Sequence, residues 1–169
     1  RNFFGRPSPE GQFKAIAANI DSVLIVFASS PTPHVSLIDR YLVAIEQLHL
    51  AAVLVLNKLD LLNHEELTEL DHMLSPYRSI GYPLYKVSAE DGRGMPELEQ
   101  ALANQTTILV GQSGVGKSSL LNKLNSSKLA DVAPLSETWA RGTHTTTTSS
   151  LYHMHRFDLI DSPGIREFG

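Results

Sequence analysis

Between the apolar run Thr106–Val110 and a helical pattern anchored by Leu120, Leu121 and Leu124 lies Gly111-Gln-Ser-Gly-Val-Gly-Lys117-Ser118. No other stretch restricts the fold as tightly. Glycines let successive backbone N–H groups converge on an anion, at the positive end of the helix that follows. The G-x-x-x-x-G-K-S spacing is that of a phosphate-binding loop. It predicts that Gly111, Gln112, Ser113, Gly114, Val115, Gly116, Lys117, Ser118 and Ser119 surround the phosphates of a nucleotide. Lys117 is the catalytic cation facing the β- and γ-phosphates, and the Ser118 hydroxyl is a ligand for Mg²⁺. A chance glycine-rich turn is the alternative. The complete match, with an apolar strand before it and a helix after it, argues against that.

The rest of the chain alternates in the same way. The first twenty residues, with Gly5, Pro7, Pro9 and Gly11, read as a lead-in segment, and residues 21–169 as the domain. Val23–Ala28 and Ala52–Leu56 are short, continuous and rich in branched residues, the pattern of strands buried on both faces. Ser36 is positioned to cap a helix through Leu48, with Leu37, Tyr41, Ala44, Ile45 and Leu48 on one face. A helix over Glu65–Tyr77, a turn at Gly81, a strand over Leu84–Val87 and a helix starting at Pro96 follow. Gly116–Leu124 continues the phosphate loop as a helix. Ser126–Ser149 is polar and irregular, as in a long mobile loop, and Leu151–His155 with Phe157–Ile160 suits a hairpin. The class is therefore α/β: a P-loop NTPase fold, its mostly parallel sheet flanked by helices on both faces.

Base identity comes from Asn57-Lys-Leu-Asp60, at the end of a buried strand. The Asp60 carboxylate can accept from N1–H and the N2 amine of guanine together, a donor pair that adenine lacks. Asn57 ties the segment to the phosphate loop, and the Lys58 stem covers one face of the base. Ser88-Ala-Glu90 follows another strand and supplies the Ala89 N–H for guanine O6. Asp161-Ser-Pro-Gly164 ends the last strand: Asp161 holds Mg²⁺ through water, and the Gly164 N–H senses the γ-phosphate. Each of these short motifs alone could be an ordinary turn; together they specify GTP and GDP. In the polar loop, Gly142-Thr-His144-Thr145-Thr146-Thr147-Thr148 offers a threonine to complete the metal shell and His144 to position hydrolytic water. His64, His72, His153 and His155 read as surface or core residues.

Composition narrows the setting. The 169 residues suit one domain, and 42% hydrophobic with 19% charged residues is the balance of a globular chain. The chain has no cysteine, hence no disulfide and no thiolate zinc site. The apolar runs are too short to span a bilayer and no signal peptide opens the chain, so a cytoplasmic protein without membrane association is expected, and a monomer. A net charge of −4 without a basic stripe leaves nucleic-acid contacts to local patches or further domains.

The motif order is unusual. In Ras-like GTPases the phosphate loop comes first; here the guanine motifs at 57–60 and 88–90 precede it and the switch motifs follow. Such a circular permutation can preserve the sheet, since parallel strands keep their neighbours when the ends are rejoined at the surface. With this order, Ala17-Ala-Asn-Ile-Asp21, Ile38-Asp-Arg-Tyr-Leu42, Asn57–Leu62, Gly111–Lys123, Gly142–Thr147 and Asp161–Gly169 resemble the ribosome small subunit-dependent GTPase A family. That family acts in late assembly of the small ribosomal subunit.

The resemblance implies a GTP hydrolase, with the catalytic histidine at His144 and the Mg²⁺ and γ-phosphate threonine at Thr146. It implies as partners the small ribosomal subunit and its rRNA, met mainly through flanking domains. In the family these are an N-terminal OB fold and a C-terminal zinc domain, so the chain reads as the catalytic core and holds no zinc itself. Thr143 departs from the basic residue of the family signature. Ile165 stands where Ras-like proteins have a catalytic glutamine, which implies slow intrinsic hydrolysis accelerated by a partner. Two other functions compete: a GTP-dependent binding module with negligible turnover, and an ATP-using P-loop enzyme, against which Asp60 argues.

Overall fold

A computed structural model describes the backbone of residues 3–7, 13–130 and 149–161. Its main sheet has six strands: β3 (Ser22–Ala28), β4 (Ala51–Asn57), β5 (Leu84–Lys86), β6 (Thr106–Val110), β7 (Ser150–His153) and β8 (Asp158–Asp161), in the spatial order β5-β4-β3-β6-β8-β7. All neighbours are parallel except β7 against β8. Four helices accompany it among the described residues: α1 (Val35–Gln47), α2 (His64–Ile80), α3 (Met95–Leu102) and α4 (Lys117–Ala130).

Strand β3 shows why both faces are covered. Successive side chains of a strand point to opposite faces. Val23, Ile25 and Phe27 share a core with Leu37, Ile38, Tyr41 and Ile45 of α1 and Leu74 and Tyr77 of α2. Leu24, Val26 and Ala28 share the other core with Leu98 and Leu102 of α3 and Leu120, Leu121 and Leu124 of α4. An unbroken apolar strand is thus the sequence consequence of two-sided burial. Fully burying each such aliphatic side chain is worth about 1.5–3 kcal/mol.

The chain winds outward from β3 through β4 to β5, with α1 and α2 on one face. It then returns to β6 through α3 on the other face and proceeds toward β8. Right-handed crossovers require this change of face when the winding direction reverses. The reversal lies between β3 and β6, and open α/β sheets bind ligands beyond the carboxyl ends of the strands flanking that point.

Several boundaries differ from the sequence reading. Helix α1 is capped at His34, whose carbonyl accepts from Leu37 and Ile38 N–H; Ser36 lies inside the first turn. Helix α2 runs past Tyr77 to Ile80 and begins with a capping box, Asn63 Oδ1 accepting from Glu66 N and Glu66 Oε2 from Asn63 N, both at 2.9 Å. Pro76 inside α2 cannot donate to His72, and the Ser75 hydroxyl supplies a donor to that carbonyl at 2.8 Å. Helix α4 continues to Ala130, so Ser126–Ala130 is helical where an irregular loop was expected; residues 131–148 lie outside the described residues. The first twenty residues, read as a lead-in, contain an antiparallel strand pair, β1 (Phe3–Pro7) and β2 (Phe13–Ala18).

Candidate nucleotide site

Backbone geometry at the end of β6 begins the site. Gly111 has φ of 145°, and a Cβ there would run into the Val26 carbonyl oxygen of β3. Only glycine lets the chain leave β6 this close to its neighbour. Gly116, with φ of 91°, brings the loop back so closely that a Cβ would lie 2.5 Å from Asn57 Nδ2. Between them the Lys117 ammonium donates to the carbonyls of Gly111 at 2.6 Å and Gln112 at 2.7 Å. The lysine is therefore held by the loop to which it belongs. Val115 is buried as the loop's apolar anchor, while Ser113, Gly114, Ser118 and Ser119 are exposed.

Asn57 joins three segments. It ends β4 with only 1% of its surface exposed. Its Nδ2 donates to the Val115 carbonyl at 3.0 Å, and more weakly to that of Gly116 at 3.5 Å. Its Oδ1 accepts from Ala89 N–H at 3.2 Å. Sequence reasoning reserved that N–H for guanine O6; in the structure Asn57 is its acceptor, so a bound base must share or displace a long bond. Lys58 adopts the left-handed region (φ 64°, ψ 39°) and turns the chain into the short 3-10 turn Leu59–Leu61. Its ammonium donates to the Ser30 carbonyl at 2.7 Å.

Asp60 is oriented from the neighbouring loop. The buried Ser88 hydroxyl donates to Asp60 Oδ1 at 2.6 Å and accepts from Asp91 N–H at 3.1 Å. The Ser88 turn is closed by Ser88 N–H to Arg93 O and Gly92 N–H to Ser88 O, each at 2.9 Å. Asp91 and Arg93 brace it, with Arg93 Nε 2.7 Å from Asp91 Oδ2. The Arg93 guanidinium, then its backbone N–H, hold the Asp91 carboxyl down at about 2. Asp91 in turn holds Arg93 protonated above the ordinary range, and Asp60 adds to that field. The sequence reading singled out neither Asp91 nor Arg93. The only signal was the Asp-Gly-Arg-Gly turn composition after Ser-Ala-Glu.

Asp161 ends β8, which lies beside β6 with Leu109 opposite Asp161 in the register. Asp161 therefore ends a strand adjacent to β6, and β6 leads through the phosphate loop into α4, whose first turn carries Ser118. The Asp161 carboxylate and the Ser118 hydroxyl are hard oxygen donors of the class magnesium takes. His144, Thr146 and Gly164 lie outside the described residues. His64, His72, His153 and His155 are exposed, and His153 Nδ1 sits 2.8 Å from Asp158 Oδ1. Asn57, Lys58, Asp60, Ser88, Ala89 and the phosphate loop thus converge at the winding reversal, with Asp161 on the adjoining strand.

Known proteins are similar to this chain in sequence and fold. A relative in Pseudomonas syringae pv. syringae, called small ribosomal subunit biogenesis GTPase RsgA, is 52% identical over 165 residues. The match covers 97% of this chain and 48% of the relative. The Pseudomonas putida F1 protein of the same name is 54% identical over 165 residues, with the same coverage. The chain thus spans about half the length of the curated relatives it matches. Among solved structures, YjeQ from Thermotoga maritima superposes with a TM-score of 0.75 at 31% identity, covering 100% of this chain and 54% of that one. YloQ, described as a circularly permuted GTPase, gives 0.70 at 26% identity, covering 99% of this chain and 50% of its own. The RsgA GTPase family model matches residues 1–169, and the chain belongs to that family.

Proposed function

We propose that this chain binds GTP and hydrolyses it to GDP and phosphate, as the catalytic domain of a protein acting in small ribosomal subunit biogenesis. The observation that carries the reading is the joint between base and phosphate motifs. Asn57 bonds to Val115 of the phosphate loop and to Ala89, while Ser88 fixes the Asp60 carboxylate. A phosphate site and a guanine-selecting carboxylate are thereby held at a fixed separation, as one nucleotide requires.

In this reading the Lys117 charge and the loop N–H groups stabilise charge developing on the transferring phosphoryl group. Ser118, Thr146 and, through water, Asp161 would hold Mg²⁺, which would supply positive charge to offset that of the phosphates. His144 orients the attacking water, because Ile165 has no hydrogen-bonding side chain. The Gly164 N–H reports the γ-phosphate. The protein works as a monomer in the cytoplasm and meets the subunit and its rRNA largely through segments flanking this domain. No helix among the described residues is long and apolar enough to cross a membrane.

GTP turnover by the chain and by the full-length protein, each with and without small ribosomal subunits, tests the proposal. Stimulation of the full-length protein, reduced by His144→Ala with GTP affinity retained, is the expected pattern. Turnover indifferent to the subunit would remove the ribosomal role.

A further inference from the structure

Two loops leave the sheet where its winding reverses: the phosphate loop after β6, and Ser29–His34 after β3. The second belongs to none of the guanine-nucleotide motifs, yet it touches two of them. The Lys58 ammonium donates to the Ser30 carbonyl at 2.7 Å. A Cβ built on Gly114 would lie 3.7 Å from Pro31 Cδ, so the proline ring stands beside the phosphate loop's turn. Farther along, Pro33 and His34 line a shallow depression together with Gln112.

We propose that Ser30 and Pro31 form a strut between the guanine motif and the phosphate loop, a positioning element that slows nucleotide release. The inference rests on the guanine-nucleotide reading above. Lysine carries a long, flexible stem whose ordering has an entropic cost. Here the left-handed backbone at Lys58 aims the stem across the end of β3, and a charge-assisted bond to the Ser30 carbonyl fixes its tip. Pre-organisation of this kind lowers the cost of binding and raises the barrier to release. The acceptor is a backbone carbonyl, and Pro31, with its fixed φ, restricts how that carbonyl can swing. Gly116 completes the contact, since a Cβ there would sit 3.9 Å from Lys58 Cε. The lysine stem therefore runs along the phosphate loop while its tip holds the neighbouring strand's loop.

Release of mant-GDP from the chain, chased with excess GDP in a stopped-flow instrument, measures the strut. Lys58→Met keeps an apolar stem and loses the ammonium; Pro31→Ala loses the ring. Each is expected to speed release about tenfold. The double variant is expected to match the singles, not to multiply them, because both remove one structure. Lys58→Arg, which can still donate to Ser30, should release more slowly than Lys58→Met. The preference for GTP over ITP should stay within about twofold of wild type, since the Asp60–Ser88 bond is untouched. That last readout separates a strut from general loosening of the fold. A wild-type chain that holds no mant-GDP would overturn the nucleotide reading and the strut with it. A wild-type chain that holds mant-GDP, with Pro31→Ala and Lys58→Met releasing it no faster, would overturn the strut alone.

Discussion

Replacing Asn57 by alanine removes one buried amide that bonds to two loops. The side chain is 1% exposed, and its main bonds are to Val115 O at 3.0 Å and from Ala89 N at 3.2 Å. Truncation orphans a carbonyl and an N–H, each worth about 1–3 kcal/mol if it stays dry. The gap is lined by polar groups, so an entering water can recover part of that loss. The net expectation is about 2–4 kcal/mol of destabilisation. For a domain of this size that corresponds to a fall in melting temperature of roughly 5–15 °C. Asn57→Asp is a sharper comparison. It keeps an acceptor for Ala89 but turns a lone pair toward the Val115 carbonyl, so it should lose at least as much as alanine. Thermal melts of the nucleotide-free chain, followed by GDP titration at a temperature where both variants are folded, measure the two consequences. A melting temperature within 2 °C of wild type, or unchanged GDP affinity, would refute Asn57 as the joint between the loops.

The other residues give narrower expectations. In Asp60→Asn, Oδ1 can still accept from Ser88, leaving the amide donors for the base; competition binding should move the GTP-to-XTP preference toward XTP by about two orders of magnitude, and an unchanged preference would remove Asp60 from base selection. Lys117→Ala should cut turnover by about 10²–10³-fold, with circular dichroism unchanged; wild-type turnover would exclude Lys117 from the phosphate site. The Asp91 carboxyl should titrate near 2, below its ordinary 3.8, so the stability it contributes is present above 3.8 and is lost as pH falls through about 2. Side-chain NMR reads that midpoint, and a value at or above 3.8 would dissolve the Asp91–Arg93 brace.

What the sequence disclosed follows from how local each determinant is. The phosphate loop is contiguous: Gly111, Gly114 and Gly116 all take positive φ, and Gly111 lies too close to the Val26 carbonyl for any Cβ. Two-sided burial of β3 and β4 writes itself as unbroken apolar runs, so the sheet and its class were readable. Helix ends were less so. The Asn63-x-x-Glu66 capping box is present in the letters, and Ser36 is a capping residue by type although His34 ends the extended segment. Helix α4 runs to Ala130, beyond Leu124, where the sequence reading ended it. Contacts that depend on distant segments meeting leave little or no local trace. The Lys58–Ser30 bond spans 28 residues, and the Asp91–Arg93 brace matters only because β4 and β5 lie side by side.

Base selectivity tests the central claim most directly. Isothermal titration of GDP, GTP and ATP, with Mg²⁺, into the 169-residue chain compares the three ligands on one site. The geometry of Asp60, Ser88 and Asn57 against the phosphate loop predicts one guanine nucleotide per chain, with ATP weaker by at least about a hundredfold. ATP binding as tight as GTP binding would contradict the account.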